Sequence, residues 1–317
     1  MHIVQFEHHR VPVEKYGGTQ RVVVWLSQGL VELGHDVTLL AARGSKVPGV
    51  RVVEVEAKDV LTPGFDVRRY VDRPVDVMHY HSFVAHPPAV PFVATLHGNL
   101  GAGAAAPPYI ICLSENHARR CGTASYVYNG IKLDEYEFRA AKSDFDLFLA
   151  RLHSAKGWRV AVRAAKIGKF RLVVAGGWRP NLSRWVRFAG KVGGPEKREL
   201  LAAARCLWMP AQWEEPFGLN VVEAMASGTP VIATPRGALA EIIGADGGAV
   251  GETLEDMLAI RRRVAGFDPH VCRQRAERYF NHLRMARDYV RMYEHLLQHS
   301  RLPPGRSFRE AERYTST

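Results

Sequence analysis

The chain alternates between two hydrophobic periods. Residues 3–6, 36–41, 50–55, 76–81 and 92–97 are apolar runs of strand length, whereas Val22, Val23, Leu26, Leu30 and Leu33 recur at helical spacing before Gly34. Residues 109–114 predict a further buried strand, with Ser114 capping the helix that follows. The stretch 132–142 turns polar and charged and reads as a linker. Beyond it the alternation restarts, with strands at 146–150, 170–175, 186–190, 206–210 and 231–234 and helices at 158–167, 196–204 and 239–243. Residues 252–299 are helical in pattern, and the polar tail after Pro303-Pro304 is expected to be loosely held. Strands alternating with helices imply parallel sheets, so the pattern predicts an α/β fold of two doubly wound units with ligands at the carboxyl edges of the strands.

Several chemistry-bearing residues fall on those edges. The densest stretch is Trp213-Glu214-Glu215-Pro216-Phe217-Gly218-Leu219, followed by Glu223 inside the next helix. Two carboxylates brought to the free N–H groups of a helix N-terminus suit a polyhydroxylated, anionic ligand. Arg151 and Lys156-Gly157 lie between a strand and a helix, where cations can clamp a diphosphate. Gly17-Gly18 open the first helix, where backbone can approach a ligand closely. His97 ends an apolar strand, and the small-residue tract 99–108 beside it is placed to gate a cleft.

Composition narrows the choice. The 317 residues are enough for two domains, and 47% hydrophobic content is normal for packed cores. The net charge of +11 is concentrated in residues 143–317, which hold 28 Lys/Arg against 18 Asp/Glu; residues 1–142 hold 15 against 14. Such an excess suits a phosphorylated ligand, a nucleic acid or an anionic membrane surface. No zinc-finger, RNP-like or helix-turn-helix pattern accompanies it, so no nucleic acid and at most peripheral membrane contact are expected. No apolar run reaches the roughly 18 residues of a membrane span. The N-terminus reads as a strand rather than a leader, and Cys112, Cys121, Cys206 and Cys272 as unpaired thiols, which together predict a cytoplasmic protein. His8-His9 and His79-x-His81 lack a completing carboxylate or cysteine at ligand spacing, and Asp144-Phe145-Asp146 lies at the wrong end of a strand for a donor site; no metal site is predicted.

Gly17-Gly18-Thr19-Gln20-Arg21, Leu33-Gly34-His35-Asp36-Val37, Thr95-Leu96-His97-Gly98, Tyr128-Asn129-Gly130-Ile131, Arg151 through Lys156-Gly157, Val174-Ala175-Gly176-Gly177 and the Glu-x7-Glu stretch from Glu215 to Glu223 occur in one order. Together they resemble the family 4 retaining glycosyltransferases of GT-B fold. The resemblance implies two Rossmann-like domains facing across a cleft: an acceptor-side domain over 1–138, a donor-binding domain over 139–282, a helix over 283–300 crossing back to the first, and a loose tail over 301–317. It implies transfer of a hexose from a nucleoside diphosphate sugar to a hydroxyl acceptor, with retention, no metal and no cofactor beyond the donor. Carried over by position, Arg151 and Lys156 bind the diphosphate, and Gly17 and Gly18 close against it. Glu223 holds the ribose, Glu215 with the backbone of Phe217, Gly218 and Leu219 holds the sugar, and His97 approaches that sugar from the acceptor side. Glu215, His97, Arg151 and Lys156 form the expected catalytic set. The Trp213 to Leu219 segment and the Tyr16-Gly17-Gly18 loop are most similar to small bacterial glucosyltransferases, which favours UDP-glucose over GDP-sugars.

The chain is short for that family, with a Gly/Ala tract after His97 and a compressed segment from 178 to 185. Two other readings follow: a nucleotide-sugar-binding scaffold without efficient transfer, and a basic protein bound to nucleic acid or a membrane surface. The acceptor, a small molecule, glycan or lipid-linked hydroxyl, and the oligomeric state stay open.

Overall fold

The computed structural model of the chain describes residues 1–13, 17–101 and 103–308. It divides into two units, Met1–Ile131 with Asn281–Thr317, and Lys132–Phe280. The first contains β1 (His2–Glu7), α1 (Gly18–Glu32), β2 (Asp36–Ala41), β3 (Arg51–Glu54), α2 (Ala57–Val60), β4 (Val77–Tyr80), β5 (Phe92–Thr95), β6 (Ile110–Ile111) and α3 (Glu115–Arg120). The second contains β7 (Asp146–Leu149), α4 (Trp158–Gly168), β8 (Leu172–Ala175), β9 (Val186–Gly190), α5 (Gly194–Ala203), β10 (Leu207–Met209) and α6 (Leu219–Ala226). It continues through β11 (Val231–Ala233), α7 (Leu239–Ile243), β12 (Gly248–Val250), α8 (Leu254–Arg262) and α9 (Pro269–Tyr279). The chain then returns to the first unit as α10 (His282–His299), which packs against α1.

Both sheets are parallel and share one topology. The strand orders are β3-β2-β1-β4-β5-β6 and β12-β11-β10-β7-β8-β9. Each order reverses direction once, between β1 and β4 in the first unit and between β7 and β10 in the second. Loops diverge at such a switch point, leaving a crevice outside the carboxyl ends of the two strands. The inner strands read as apolar runs because helices cover both faces. Ile3, Phe6, Leu26, Leu30 and Tyr80 are essentially inaccessible in the first unit, as are Phe148, Trp208, Val174 and Ile232 in the second. Each such aliphatic or aromatic side chain contributes about 1.5–3 kcal/mol of transfer free energy. In the second core Phe170 stacks on Trp208 at 5.6 Å, and the Arg261 guanidinium lies 4.0 Å from the Phe170 ring centre while its Nε bonds buried Asp146 at 2.8 Å. Trp208 Nε1 donates to the same carboxyl at 2.9 Å. Asp146, the second acid of Asp144-Phe145-Asp146, is thus consumed by the core at the amino end of β7.

The chain leaves and re-enters the first unit at neighbouring points. Ile131 bridges Asn281, and His282 N donates to Ile131 O at 3.0 Å. Gly130 is needed there because a side chain would collide with the Asn281 carbonyl. The structural change of unit precedes the expected one at 138/139, because Tyr136 already bonds Glu223 within the second unit.

The tail corrects an expectation over the part described. Ser125 Oγ donates to Pro303 O at 2.9 Å, Gly305 N to Ala124 O at 2.8 Å, and Phe308 stacks on Tyr128 at 4.4 Å. Polar composition hid these anchors, which are backbone bonds and one aromatic side chain; 309–317 lie outside the described residues, as do Tyr16 of the first glycine loop and Ala102 of the small-residue tract. No helix among the described residues is long and apolar enough to cross a membrane.

Candidate functional site

In the second unit the switch point is built by the loops after β7 and β10. Past β7, Arg151 is exposed, and His153 accepts from Ala155 N at 3.2 Å to start the turn Ser154–Lys156. Gly157 follows at φ 73°, a left-handed conformation, and a Cβ there would collide with the Pro210 carbonyl. The two loops are therefore in backbone contact, and Gln212 N bonds Ala155 O at 2.7 Å. This contact brings Lys156 to Glu215: Nζ donates to Oε2 at 2.7 Å, and Trp213 Nε1 donates to the same oxygen at 2.9 Å. The ammonium also sits 4.6 Å from the Trp213 ring centre, within cation–π range. Glu215 is 8% exposed.

Neighbouring Glu214 turns elsewhere, accepting from Gly237 N at 2.7 Å. Counting back from Glu223 to Glu215 therefore selects the acid that meets the lysine. Gly218 is the N-cap of α6 and supplies no side-chain cap; its carbonyl accepts from Val221 N at 2.9 Å. Asn220 Nδ2 ties that helix to the end of β7 through Leu149 O at 2.7 Å.

Glu223 does not join Glu215. Its side chain is fully buried; Tyr136 OH donates to Oε1 at 2.7 Å and Lys197 Nζ lies 2.6 Å from the carboxyl. The two acids expected to converge have separate partners. Sequence reasoning missed Trp213 as a partner, and also Tyr136 and Lys197, which lie far from Glu223 along the chain.

In the first unit Gly17 is the N-cap of α1, without a side-chain bond, and no acid occupies the first turn. His97 lies just past β5, half-buried, with Nε2 3.1 Å from His81 Nδ1. Behind it His79 is bonded at both nitrogens, to Tyr293 OH and Thr95 Oγ1, each at 2.7 Å. Thr95 in turn meets Tyr289 OH at 2.8 Å, so α10 is locked to the sheet by hydroxyl and imidazole groups. Burial lowers His79 and His97 to about 3 from an ordinary 6.5, with a smaller push from His97 on His79 and from His117 on His97. Burial also drives His81 well below 6.5, helped by His79 and His97. All three imidazoles are neutral near pH 7.

Two donor clusters depart from the sequence reading. Glu7 does stand beside His8-His9, with Oε1 3.0 Å from His9 Nδ1, so a carboxyl accompanies that pair. Cys112 and Cys121, nine residues apart on either side of α3, come within 4.8 Å of each other and of His117, all three buried. The thiols are free, and burial raises Cys112, with a further push from Cys121. His117 Nδ1 accepts from Leu113 N at 3.3 Å, which occupies one of the three donors.

Two doubly wound parallel sheets are the architecture of the GT-B glycosyltransferases, and the comparisons with known proteins agree. Residues 16–135 match the Glycosyltransferase Family 4 model and 146–263 the Glycosyl transferases group 1 model. AviGT4, a glycosyltransferase involved in avilamycin A biosynthesis, superimposes with a TM-score of 0.80 and 30% identity over 95% of this chain and 99% of its own. The chain belongs to the family 4 glycosyltransferases. It is also 25% identical over 300 residues to the phosphatidyl-myo-inositol mannosyltransferase of Propionibacterium freudenreichii, covering 75% of this chain and 78% of that one. Anabaena HepE in complex with UDP-glucose shares the fold, with a TM-score of 0.68 at 16% identity over 92% and 98% of the two chains.

Proposed function

We propose that the protein is a retaining, metal-independent hexosyltransferase that moves a hexose from a UDP- or GDP-sugar, UDP-glucose first among them, to a hydroxyl acceptor. The observation that carries this reading is the Lys156–Glu215–Trp213 cluster at the switch point of the second unit, in a chain of this family. In the reaction the bond from the sugar's anomeric carbon to the diphosphate oxygen breaks, and its electron pair stays on the phosphate. The acceptor oxygen bonds the same face, and the leaving phosphate takes its proton. Lys156 and Arg151 gain strength as charge develops on that phosphate, the kind of differential interaction that lowers a barrier. Glu215, freed from Lys156 as the cation turns to phosphate, accepts from the sugar hydroxyls together with the backbone of Phe217, Gly218 and Leu219.

Gly17 and Gly18 present backbone N–H groups to the diphosphate, and His97 donates to the transferred sugar. Glu223 takes the ribose in this scheme, and its buried bonds to Lys197 and Tyr136 speak for a structural share in the role. Two measurements test the reading. Thermal shifts with UDP, GDP, ADP and their sugars should single out one nucleotide. Proton NMR of the product should show the donor's anomeric configuration, and inversion would remove the mechanism.

A further inference from the structure

Three imidazoles stand in a row in the first unit, His79, His81 and His97, and the last is the one the transfer scheme uses. In the register of β4 and β5, His79 pairs with Val93 and Tyr80 with Ala94. His81 is the next residue along, and its N–H donates to Phe6 O at 3.0 Å, which pins its backbone to β1. Its ring centre lies 4.2 Å from that of His79 and 5.4 Å from that of His97. His79 is itself held at both nitrogens, by Tyr293 OH and Thr95 Oγ1. The place of the His81 ring is therefore set from behind, by the sheet and by a ring that α10 holds still.

A neutral imidazole carries one proton, so each bond in the row constrains the next ring. His81 is 3% exposed, and its Nε2 has no hydrogen-bond partner among the described residues. A proton on Nε2 would leave a buried N–H without an acceptor, which folded proteins tolerate less readily than a bare lone pair. The proton is thus on Nδ1, and Nδ1–H donates across 3.1 Å to His97 Nε2. His97 Nε2 is then the bare nitrogen of its own ring, which puts the His97 proton on Nδ1. Among the described residues no hydrogen bond takes that Nδ1, and His97 is half-buried rather than sealed. The row ends in a neutral N–H donor.

We propose that His81 is a positioning residue for the transfer reaction: it holds His97 in the Nδ1–H tautomer, the form that donates to an oxygen of the transferred sugar. The proposal rests on the transferase reading above for the sugar, but not for the tautomer. A donor fixed beforehand needs no reorganisation during the reaction, whereas a ring free to exchange tautomers offers its N–H only part of the time.

The test uses the full chain. Long-range proton–nitrogen NMR of protein isotope-labelled in its histidines, with His97→Gln to assign the signal, should show the His97 proton on Nδ1. Two variants, each checked for a cooperative melt, then read the consequence as UDP or GDP release from UDP-glucose or GDP-mannose. His81→Leu removes the donor and should lower kcat about tenfold, with KM for the donor and the thermal shift given by UDP unchanged within twofold. His81→Asn, whose amide N–H stands in for Nδ1–H, should recover most of that loss, whereas a role in packing alone favours the larger Leu. The proposal is overturned if His97 carries its proton on Nε2, if folded His81→Leu turns over within twofold of the wild type, or if His81→Asn is no faster than His81→Leu. A wild type that releases no nucleotide from either donor fails the transferase reading, and the tautomer of His97 then decides whether His81 orients it.

Discussion

The two switch points have the same topology and different side-chain chemistry. After β7 and β10 stand an ammonium, a carboxyl and an indole N–H, all in mutual contact and partly open to solvent. After β1, β4 and β5 stand a buried carboxyl and imidazoles that burial holds neutral. The first of these edges can exchange its internal ion pair for a ligand's charge; the histidine edge has no ammonium to exchange, and its imidazoles act through hydrogen bonds. One frame thus supports two kinds of recognition, and the loops, not the sheet, decide which.

The most severe break in this comparison comes from the charged edge. Lys156→Ala and Glu215→Gln should each lower kcat by about a thousandfold, roughly 4 kcal/mol, with the fold intact; wild-type turnover in both would show that the cluster is only an internal ion pair. Next is Lys197→Met, which removes the cation paired with the buried Glu223 carboxyl and should cost about 3 kcal/mol of unfolding free energy in urea. Loss of nucleotide binding without loss of stability would instead make Lys197 a ligand group.

The neutral edge predicts a pH effect of known sign. His79 and His81 sit below the 6.5 of an ordinary imidazole, so the unfolded chain takes up protons below that pH while the folded chain does not. Stability should be full above about pH 6.5 and fall below it, by about 1.4 kcal/mol per histidine for each pH unit, down towards the folded-state value near 3 for His79. Urea unfolding at pH 7.5 and 5.5 measures it, and a flat profile would mean these imidazoles titrate in the fold as they do in the unfolded chain. The smallest change, Phe308→Ala, removes the stack on Tyr128 and should lower stability by about 1 kcal/mol, read from the melting temperature.

Much of the frame was legible in the chain. Strands buried on both faces must be apolar throughout, so eleven of the twelve strands' positions could be placed from runs such as 147–149 and 172–175, although β6 is only Ile110–Ile111 of the run 109–114, and β12 carried little signal. Ser114 caps α3 as its side chain suggests, accepting from His117 N at 3.0 Å. Spacing from Glu223 picked Glu215 over Glu214, and the geometry pairs Glu215 with Lys156. The site was legible only as a set of positions. That Trp213 shares Glu215 with Lys156 and that Glu223 turns into the core towards Tyr136 and Lys197 depend on contacts between distant segments, which leave no periodic trace.

Sequence by itself therefore determined the alternation of strand and helix, the parallel sheets and the edges on which the polar residues fall, because hydrophobic period and turn chemistry act locally. Tertiary structure decided which of those polar groups meet, which lose their water and which keep an unpaired atom. Burial and pairing are properties of the packed sheet edge, and no window of the chain contains them.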